Sequence, residues 1–220
     1  MDAQVDAVNR YLGSTTGREK LCRLVQYFAR FYAFYLFRKG APKDVVERWA
    51  ELKQHIGNGR KFFRLFKPIE FFQTAVHTAN TRQDDFIRLT TISKHVFNAF
   101  YYLSEVFVLT TAINFYQPKA IKQITKFGQE CWFTSLFASI LCGLYKLCQL
   151  QRQGALVDQE KKAYTKETHS VSYQLLQDIV DIIIPSGNLG WLPVDEGIIG
   201  IAGIITSSMA MKSQWEKVNP

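Results

Sequence analysis

The chain has 220 residues, of which 47% are hydrophobic and 21% charged, so its composition excludes disorder throughout. Its net charge of +8 lies entirely in residues 1–100, which hold 17 lysines and arginines against 9 acidic residues. A basic half joined to a neutral, apolar half indicates an anionic partner, either a membrane surface or nucleic acid. The mean hydropathy of −0.08 argues against many long membrane spans but leaves room for one or two short ones.

Three helices are predicted in the first 60 residues from apolar spacing and from residues that begin or end helices. Asp2 can cap a short first helix, and Ser14 can begin a second one that stops at Gly40. In the second helix, apolar and aromatic residues recur every three or four positions. A third, more polar helix is predicted from Asp44 to His55, and Gly57-Asn58-Gly59 is expected to end it.

The stretch from Arg60 to Val76 has a pronounced amphipathic pattern. At about 100° per residue, most of its apolar residues share an arc of roughly 120°, with Arg60, Arg64 and Lys67 opposite. Pro68 lacks a backbone donor and should kink the helix or begin a new one. Three roles suit this stretch: a helix in a membrane interface, an ordinary amphipathic helix in a globular bundle, or a nucleic-acid-binding element. For an interfacial helix at 57–80, the candidate membrane-binding residues are Arg60, Lys61, Phe62, Phe63, Arg64, Leu65, Phe66, Lys67, Ile69 and Phe72.

Acidic pairs and an apolar periodicity mark the next elements. A helix is predicted from Asp84 to Leu109, and the pairs Asp84-Asp85 and Asp195-Glu196 are predicted to cap helices. Asp178 and Asp181 share one helix face, for which we expect exposure to solvent. The alternatives for this face are a polar pore that includes Gln174 and a contact with a partner.

Two segments of 15 residues, 131–145 and 197–211, contain no charged residue. Each would be about 22 Å long as a helix, whereas the hydrocarbon core of a bilayer is about 30 Å thick. Flanking lysines that snorkel to the interface would make each segment a short membrane span. Small residues on one face of each segment allow close helix packing, in a bilayer or in a soluble core: Ser135, Ser139 and Gly143 in the first, and Gly200, Gly203 and Ser207 in the second.

The sequence contains no pattern typical of catalysis or of metal binding. Its four cysteines have no C-x-x-C spacing, its four histidines are scattered, and serine-hydrolase, zinc-protease and kinase signatures are absent. We therefore expect free thiols in a reducing compartment, no cofactor and no enzymatic activity.

Three blocks occur in order along the chain: Gly17 to Tyr27, Arg60 to Phe72, and Asp195 to Trp215. Together they resemble the peroxin-11 family of peroxisomal membrane elongation and proliferation proteins, and especially its fungal branch. The resemblance spans most of the chain, and the ordered combination is more specific than any single block. Carried over by position, it makes Arg60 to Phe72 the membrane-bending stretch and 197–210 the C-terminal anchor.

The resemblance implies a peroxisomal membrane protein whose amphipathic helices insert into the cytosolic leaflet. Such a protein elongates and tubulates the organelle before fission and so promotes peroxisome proliferation. The implied partners are an anionic phospholipid membrane, other copies of the same chain, and a dynamin-related GTPase with its fission adaptors, but no nucleic acid. The alternative function is a pore for small metabolites in the same membrane.

The expected architecture is all-α, with amphipathic helices in the N-terminal half and one or two short transmembrane helices in the C-terminal half. Its regions in chain order are a basic amphipathic region at 1–125, a first apolar membrane segment at 126–150, a polar loop at 151–172, and a C-terminal helix and anchor at 173–220.

Overall fold

A computed structural model of the chain describes residues 2–154 and 161–219, and these residues form an all-α fold, which confirms the predicted class. The two described ranges contain helices and connecting turns but no strand. The helices are α1 (Asp2–Gly13), α2 (Thr15–Arg38), α3 (Lys43–Phe62), α4 (Lys67–Ala79), α5 (Asp85–Ala112), α6 (Ile121–Gly154), α7 (Lys161–Asp181), α8 (Ile183–Asn188) and α9 (Glu196–Val218).

Side-chain caps begin three helices where the sequence predicts them. The hydroxyl oxygen of Ser14 accepts a hydrogen bond of 3.0 Å from the backbone N–H of Gly17. The carboxylate of Asp84 accepts two backbone N–H groups at the start of α5, at 2.9 and 3.2 Å. Asp195 accepts the N–H of Ile198 at 2.9 Å. These contacts satisfy backbone donors that have no partner within the first turn of a helix.

The third helix is longer than predicted, because it continues through the residues expected to end it. α3 passes His55 and residues 57–59 and ends at Phe62. A Cβ atom on Gly57 would lie 2.8 Å from Nε2 of Gln26, so the missing side chain lets α3 lie directly against α2. This packing compensates for the low helix propensity of glycine, and the predicted end at 57–59 is wrong.

The amphipathic stretch forms two helices joined by a turn. α3 ends at Phe62, residues 63–66 turn, and α4 begins at Lys67. Pro68 lies in the first turn of α4, where a missing backbone N–H costs no hydrogen bond. The prediction that Pro68 kinks the helix or begins a new one is confirmed. We call residues 60–72, which span this turn, the elbow.

Much of the predicted polar loop at 151–172 is helical. α6 continues to Gly154, and α7 begins at Lys161. Residues 155–160, in the middle of the predicted loop, lie outside the described residues. In the first half of α7, Tyr164, Thr168 and Val171 recur at helical spacing and are half-buried. Only three residues form this stripe, and two of them have polar groups, so the polar composition hides the helical pattern.

Six helices enclose the centre of the molecule. α2 packs against α3 on one side and α9 on the other, and α7 packs against α6 and α9. α5 packs against α6 and makes a smaller contact with α3, which closes the ring α2–α3–α5–α6–α7–α9. α4 packs on α5, and α1 packs on α2 and α9.

The contact between α2 and α9 is very close, because glycines replace larger side chains. A Cβ atom on Gly203 would lie 2.1 Å from the ring of Tyr27, and one on Gly200 would lie 2.8 Å from the backbone of Phe31. Tyr27 also belongs to the small apolar core, together with Ile184 and residues of α9. The N-terminal and C-terminal halves of the chain are therefore packed directly on each other.

One helix among the described residues is long and apolar enough to cross a membrane. It is α6, over Ile121–Arg152. This span contains the first predicted apolar segment, 131–145. The second segment, 197–211, is helical within α9, but α9 does not meet the same criterion of length and apolar composition.

Candidate functional site

Charged side chains lie inside the ring, beginning with an arginine near the end of α3. Arg60 is only 6% exposed. Its Nε and Nη2 atoms donate to Oε1 of Glu19 on α2 at 3.0 and 2.6 Å, and its Nη1 atom donates to the side-chain oxygen of Gln26. The other oxygen of Glu19 lies 3.2 Å from Nζ of Lys20. Glu19 is therefore a buried carboxylate shared by cations from two helices.

Two further arginines pair with acids across the interior. Arg64, in the turn of the elbow, is 9% exposed and lies 3.0 Å from Glu105 of α5. Its guanidinium also lies 5.4 Å from the ring centroid of Tyr102, within the range of a cation–π contact. Arg23 of α2 donates to Asp181 of α7 at 2.5 Å. Ion pairs therefore join the elbow, α2, α5 and α7.

Asp178 and Asp181 are buried, so the prediction that they lie on a solvated face is wrong. Asp178 accepts hydrogen bonds from the hydroxyl of Ser139 on α6 and from the amide of Gln174 at 2.8 Å. Ser139 in turn accepts a hydrogen bond of 2.8 Å from Lys94 of α5. The two acids turn inward because cations and polar groups from three other helices meet them there.

These groups line a cavity of about 600 Å³ at the centre of the ring. Side chains from α2, α3, α5, α6 and α7 all contribute to its wall. A second cavity of about 290 Å³ shares Lys94, Gln174 and Asp178 with the first and extends to Lys146 and Ser170. Asp178 and its hydrogen-bond partner Gln174 therefore lie in the wall that the two polar cavities share.

The elbow divides its predicted membrane-binding residues between the interior and the surface. Arg60 and Arg64 are buried in ion pairs, whereas an interfacial helix would expose its cations to lipid headgroups. Lys61 lines the cavity and Leu65 is half-buried. Lys67 is partly exposed and pairs with Glu70. The residues that do point outward are Phe62, Phe63, Phe66, Ile69 and Phe72, with Phe66 74% and Ile69 67% exposed.

The small-residue faces are occupied within the chain. Ser135 and Ser139 are buried on the inner side of α6, and a Cβ atom on Gly143 would touch Leu175 of α7 at 3.3 Å. Gly200, Gly203 and Ser207 lie on the side of α9 that packs against α2, and Ser207 is fully buried. In this arrangement the two faces serve packing inside one molecule, so they are not free to join two copies.

A third group of ion pairs joins the start of α9 to α2 and α3. Arg30 donates to both carboxylate oxygens of Glu196 at 2.8 and 2.7 Å, and Lys53 lies 3.5 Å from the same group. The hydrogen bond from Arg30 is the main cause that lowers the pKa of Glu196 below its ordinary value. Glu196 begins α9, so this contact ties the first turn of α9 to α2 and α3.

The described residues contain no group of three or more histidine, cysteine or acidic side chains that could hold a metal ion. All four cysteines carry free thiols.

Several charged residues of the interior are not singled out by the sequence patterns, among them Glu19, Arg23, Lys94 and Glu105. A signal is present for Glu105, because it is the only charged residue between His95 and Pro118. An ionisable residue within a long apolar helix is expensive to expose to apolar surroundings and usually faces a polar interior. Glu19 and Arg23 give no comparable signal, since the start of α2 is rich in charge.

Three helices of the ring, α5, α6 and α9, present apolar side chains outward, whereas the interior of the ring is polar. Outward-facing apolar side chains follow α5, α6 and α9, at helical spacing: Phe86, Leu89, Phe100, Leu103 and Phe107; Phe137, Leu141 and Leu144; and Ile198, Ile201 and Ile205. Soluble bundles show the reverse distribution, because water favours polar groups outside. Outward-facing apolar side chains on α5, α6 and α9, a charged interior, and one helix long and apolar enough to cross a membrane are together typical of a helical membrane protein.

Comparison with known proteins identifies the family. The family model described as Peroxisomal biogenesis factor 11 (PEX11) matches residues 5–215, so the chain belongs to this family. It is similar to Peroxisomal biogenesis factor 11 of Schizosaccharomyces pombe, at 28% identity over 94% of this chain and 93% of that protein. It is also similar to Peroxisomal membrane protein PMP27 of Saccharomyces cerevisiae, at 25% identity over 94% and 92% of the two chains.

The similarity extends beyond fungi. Human Peroxisomal membrane protein 11A is 22% identical over 94% of this chain and 95% of its own length. No solved structure matches the chain. The resemblance to the peroxin-11 family is thus confirmed, and the protein is a peroxisomal membrane protein of peroxisome biogenesis.

Proposed function

We propose that the protein elongates and tubulates the peroxisomal membrane, and so promotes proliferation and fission, by inserting the outer face of the elbow into the cytosolic leaflet. The observation that supports this proposal is the cluster of exposed apolar side chains around the turn, above all Phe62, Phe66 and Ile69. Large apolar side chains that enter one leaflet expand it, and binding strength increases with the apolar area that is buried. Expansion of one leaflet favours curvature toward that side.

In this mechanism Arg60 and Arg64 stabilise the position of the elbow and do not bind lipid headgroups. Their ion pairs with Glu19 and Glu105 hold the inner side of the elbow against α2 and α5. The phenylalanines are therefore presented on a rigid support and not on a free helix that folds at the membrane. Rigid presentation lowers the conformational entropy lost on insertion.

The partners that we propose for this function are an anionic phospholipid membrane and other copies of the chain, whose assembly would concentrate curvature into a tubule. A dynamin-related GTPase and its fission adaptors would act on the elongated membrane. Because the small-residue faces of α6 and α9 are filled within the chain, self-association would use other surfaces.

The test compares elbow variants of the full chain in a fungal cell that lacks its own family member. We expect the triple variant Phe62→Ser, Phe66→Ser and Ile69→Ser to reach peroxisomes but to leave them unelongated. The control is Phe37→Ser, which removes a phenylalanine of similar exposure, 70%, at the opposite end of the α2–α3 hairpin. Normal elongation by the triple variant, or equal loss in the control, would contradict the proposal.

A second function, a pore for small metabolites, is favoured by a different observation. Two adjoining polar cavities lie within the ring, while α5, α6 and α9 present apolar side chains outward. Polar groups that line an interior path through an apolar bundle are typical of transport proteins. We expect solute flux through the full chain in planar bilayers, and loss of that flux with Asp178→Asn and Asp181→Asn together. Absence of flux through the native chain would exclude this function and leave tubulation unaffected.

A further inference from the structure

The central cavity has more cationic than acidic side chains in its wall. Its acids are Glu19, Glu105, Asp178 and Asp181, and each accepts an ion pair or a hydrogen bond from neighbouring side chains. Twice as many lysines and arginines line the same space. Two of these cations, Arg30 and Lys53, pair with Glu196, which lies outside the wall. With Glu196 included, lysines and arginines still outnumber the acids around the cavity.

Two lysines of the cavity wall donate hydrogen bonds to neutral side chains. Nζ of Lys61, at the end of α3, donates to the side-chain oxygen of Asn58 at 3.0 Å. Nζ of Lys94, on α5, donates to the hydroxyl of Ser139 at 2.8 Å. Within the described residues, no carboxylate oxygen lies within 4.0 Å of either ammonium group. Both lysines are half-buried and line the cavity.

A half-buried ammonium group whose hydrogen-bond partners are neutral is only partly compensated, although Glu105 attracts Lys61 and Asp178 attracts Lys94 at longer range. The neighbouring arginines do not complete this compensation, since they add charge of the same sign. An anion that entered the cavity would gain favourable interactions with both lysines. A volume of about 600 Å³ is in the range of cavities that hold metabolite-sized ligands.

We propose that the central cavity is a binding site for a small anion with two or more negative charges, with Lys61 and Lys94 as its charged ligands. Phosphate and carboxylate oxygens are the groups that such ammonium donors bind. The site goes beyond both functions proposed above, because binding can be measured in a protein that neither bends a membrane nor conducts solute. If neither tubulation nor flux were observed, anion binding would still be decided by the experiment described next.

The experiment uses the full chain in nanodiscs of phosphatidylcholine, titrated with pyrophosphate or citrate at constant ionic strength. We expect saturable binding to the native chain, and binding about tenfold weaker in Lys61→Gln and in Lys94→Gln. The matched control is Lys43→Gln on the outer surface of α3, where the lysine side chain is 88% exposed. This control should change affinity by less than about twofold.

Two further measurements identify the source of the anion and exclude a merely structural role for the lysines. Phosphatidic acid added to the nanodiscs shows the source of the anion: competition with pyrophosphate indicates a lipid headgroup, and unchanged binding indicates a soluble anion. In the absence of anion, Lys61→Gln should raise the thermal midpoint, because it removes an incompletely compensated charge. Lack of saturable binding by any probe, equal affinity in all variants, or a lower midpoint with unchanged affinity would overturn the proposal.

Discussion

Arg60 at the end of α3 and Glu19 near the start of α2 form a buried ion pair in which two guanidinium nitrogens donate to the same carboxylate oxygen, at 3.0 and 2.6 Å. Both side chains are less than a tenth exposed. The pair fixes the elbow to α2 and turns the arginine away from the surface. It also makes the fold depend on charges that lie far from water.

Replacing Glu19 by glutamine should destabilise the fold by about 3 kcal/mol, because it leaves Arg60 in the interior without its carboxylate. The measurement is unfolding of the purified full chain in detergent. Glu47→Gln, which affects an exposed pair with Lys43 within α3, should leave stability unchanged. Removing both partners with Glu19→Gln and Arg60→Gln should recover part of the loss. Equal stability of the native chain and the Glu19 variant would contradict the role of the pair.

Adding one methyl group at Gly203 should weaken the contact between α9 and α2. The new Cβ atom would overlap the ring of Tyr27, so we expect Gly203→Ala to cost about 1–3 kcal/mol of unfolding free energy. Gly59 is the matched control, since it is helical and a Cβ atom there would meet nothing within 4 Å. Gly59→Ala should stabilise by about 0.5–1 kcal/mol, because alanine favours the helix. Effects of the same sign at both positions would count against the packing described.

The contact of Glu196 with Arg30 and Lys53 should make stability depend on pH in acid solution. Because the pKa of Glu196 is lowered in the folded state, the contact contributes fully above the ordinary carboxyl pKa. The contribution is lost as the pH falls through the lowered value. Thermal midpoints measured between neutral and acid pH should therefore decrease less steeply for Glu196→Gln than for the native chain. Parallel curves for the two proteins would show that this carboxylate does not contribute.

The preference of the elbow for anionic lipid should be small, since Arg60 and Arg64 are used in the interior. Lys67 is the cation of the elbow with access to the surface, although it also pairs with Glu70. Lys67→Gln should lower partitioning onto anionic vesicles by about fivefold, the effect of roughly 1 kcal/mol per lysine near such a surface. Flotation of vesicles of graded anionic content measures this change. A loss of a hundredfold or more would contradict the prediction, because a single surface lysine accounts for only about fivefold.

Local features of the fold could be predicted from the sequence, because they depend on neighbouring residues. Ser14, Asp84 and Asp195 cap helices as expected, since a side-chain oxygen before an apolar run satisfies free N–H groups wherever the helix later packs. Pro68 begins a helix for a similarly local reason. In contrast, Gly57 lies inside a helix because of Gln26, a residue 31 positions away.

The orientation of amphipathic helices could not be predicted in the same way. The spacing of Arg60 and Arg64 opposite an apolar face is the same for a bundle in water and for a bundle in lipid. In water the arginines would be solvated, whereas here they meet Glu19 and Glu105 in the interior. The prediction that Asp178 and Asp181 face solvent is wrong for the same reason. Which face is inside depends on the partners of the helix, and those lie on distant parts of the chain.

The close packing of α2 on α9 has a consequence for biosynthesis. Arg23 and Tyr27 find their partners on α7 and α9, more than 150 positions later in the chain. Until those helices have left the ribosome, the charges of α2 have no acid from α7 to pair with, and the ring is open on one side. A chain that entered the membrane as it emerged would carry these exposed charges into lipid. The topology therefore favours insertion after synthesis is complete.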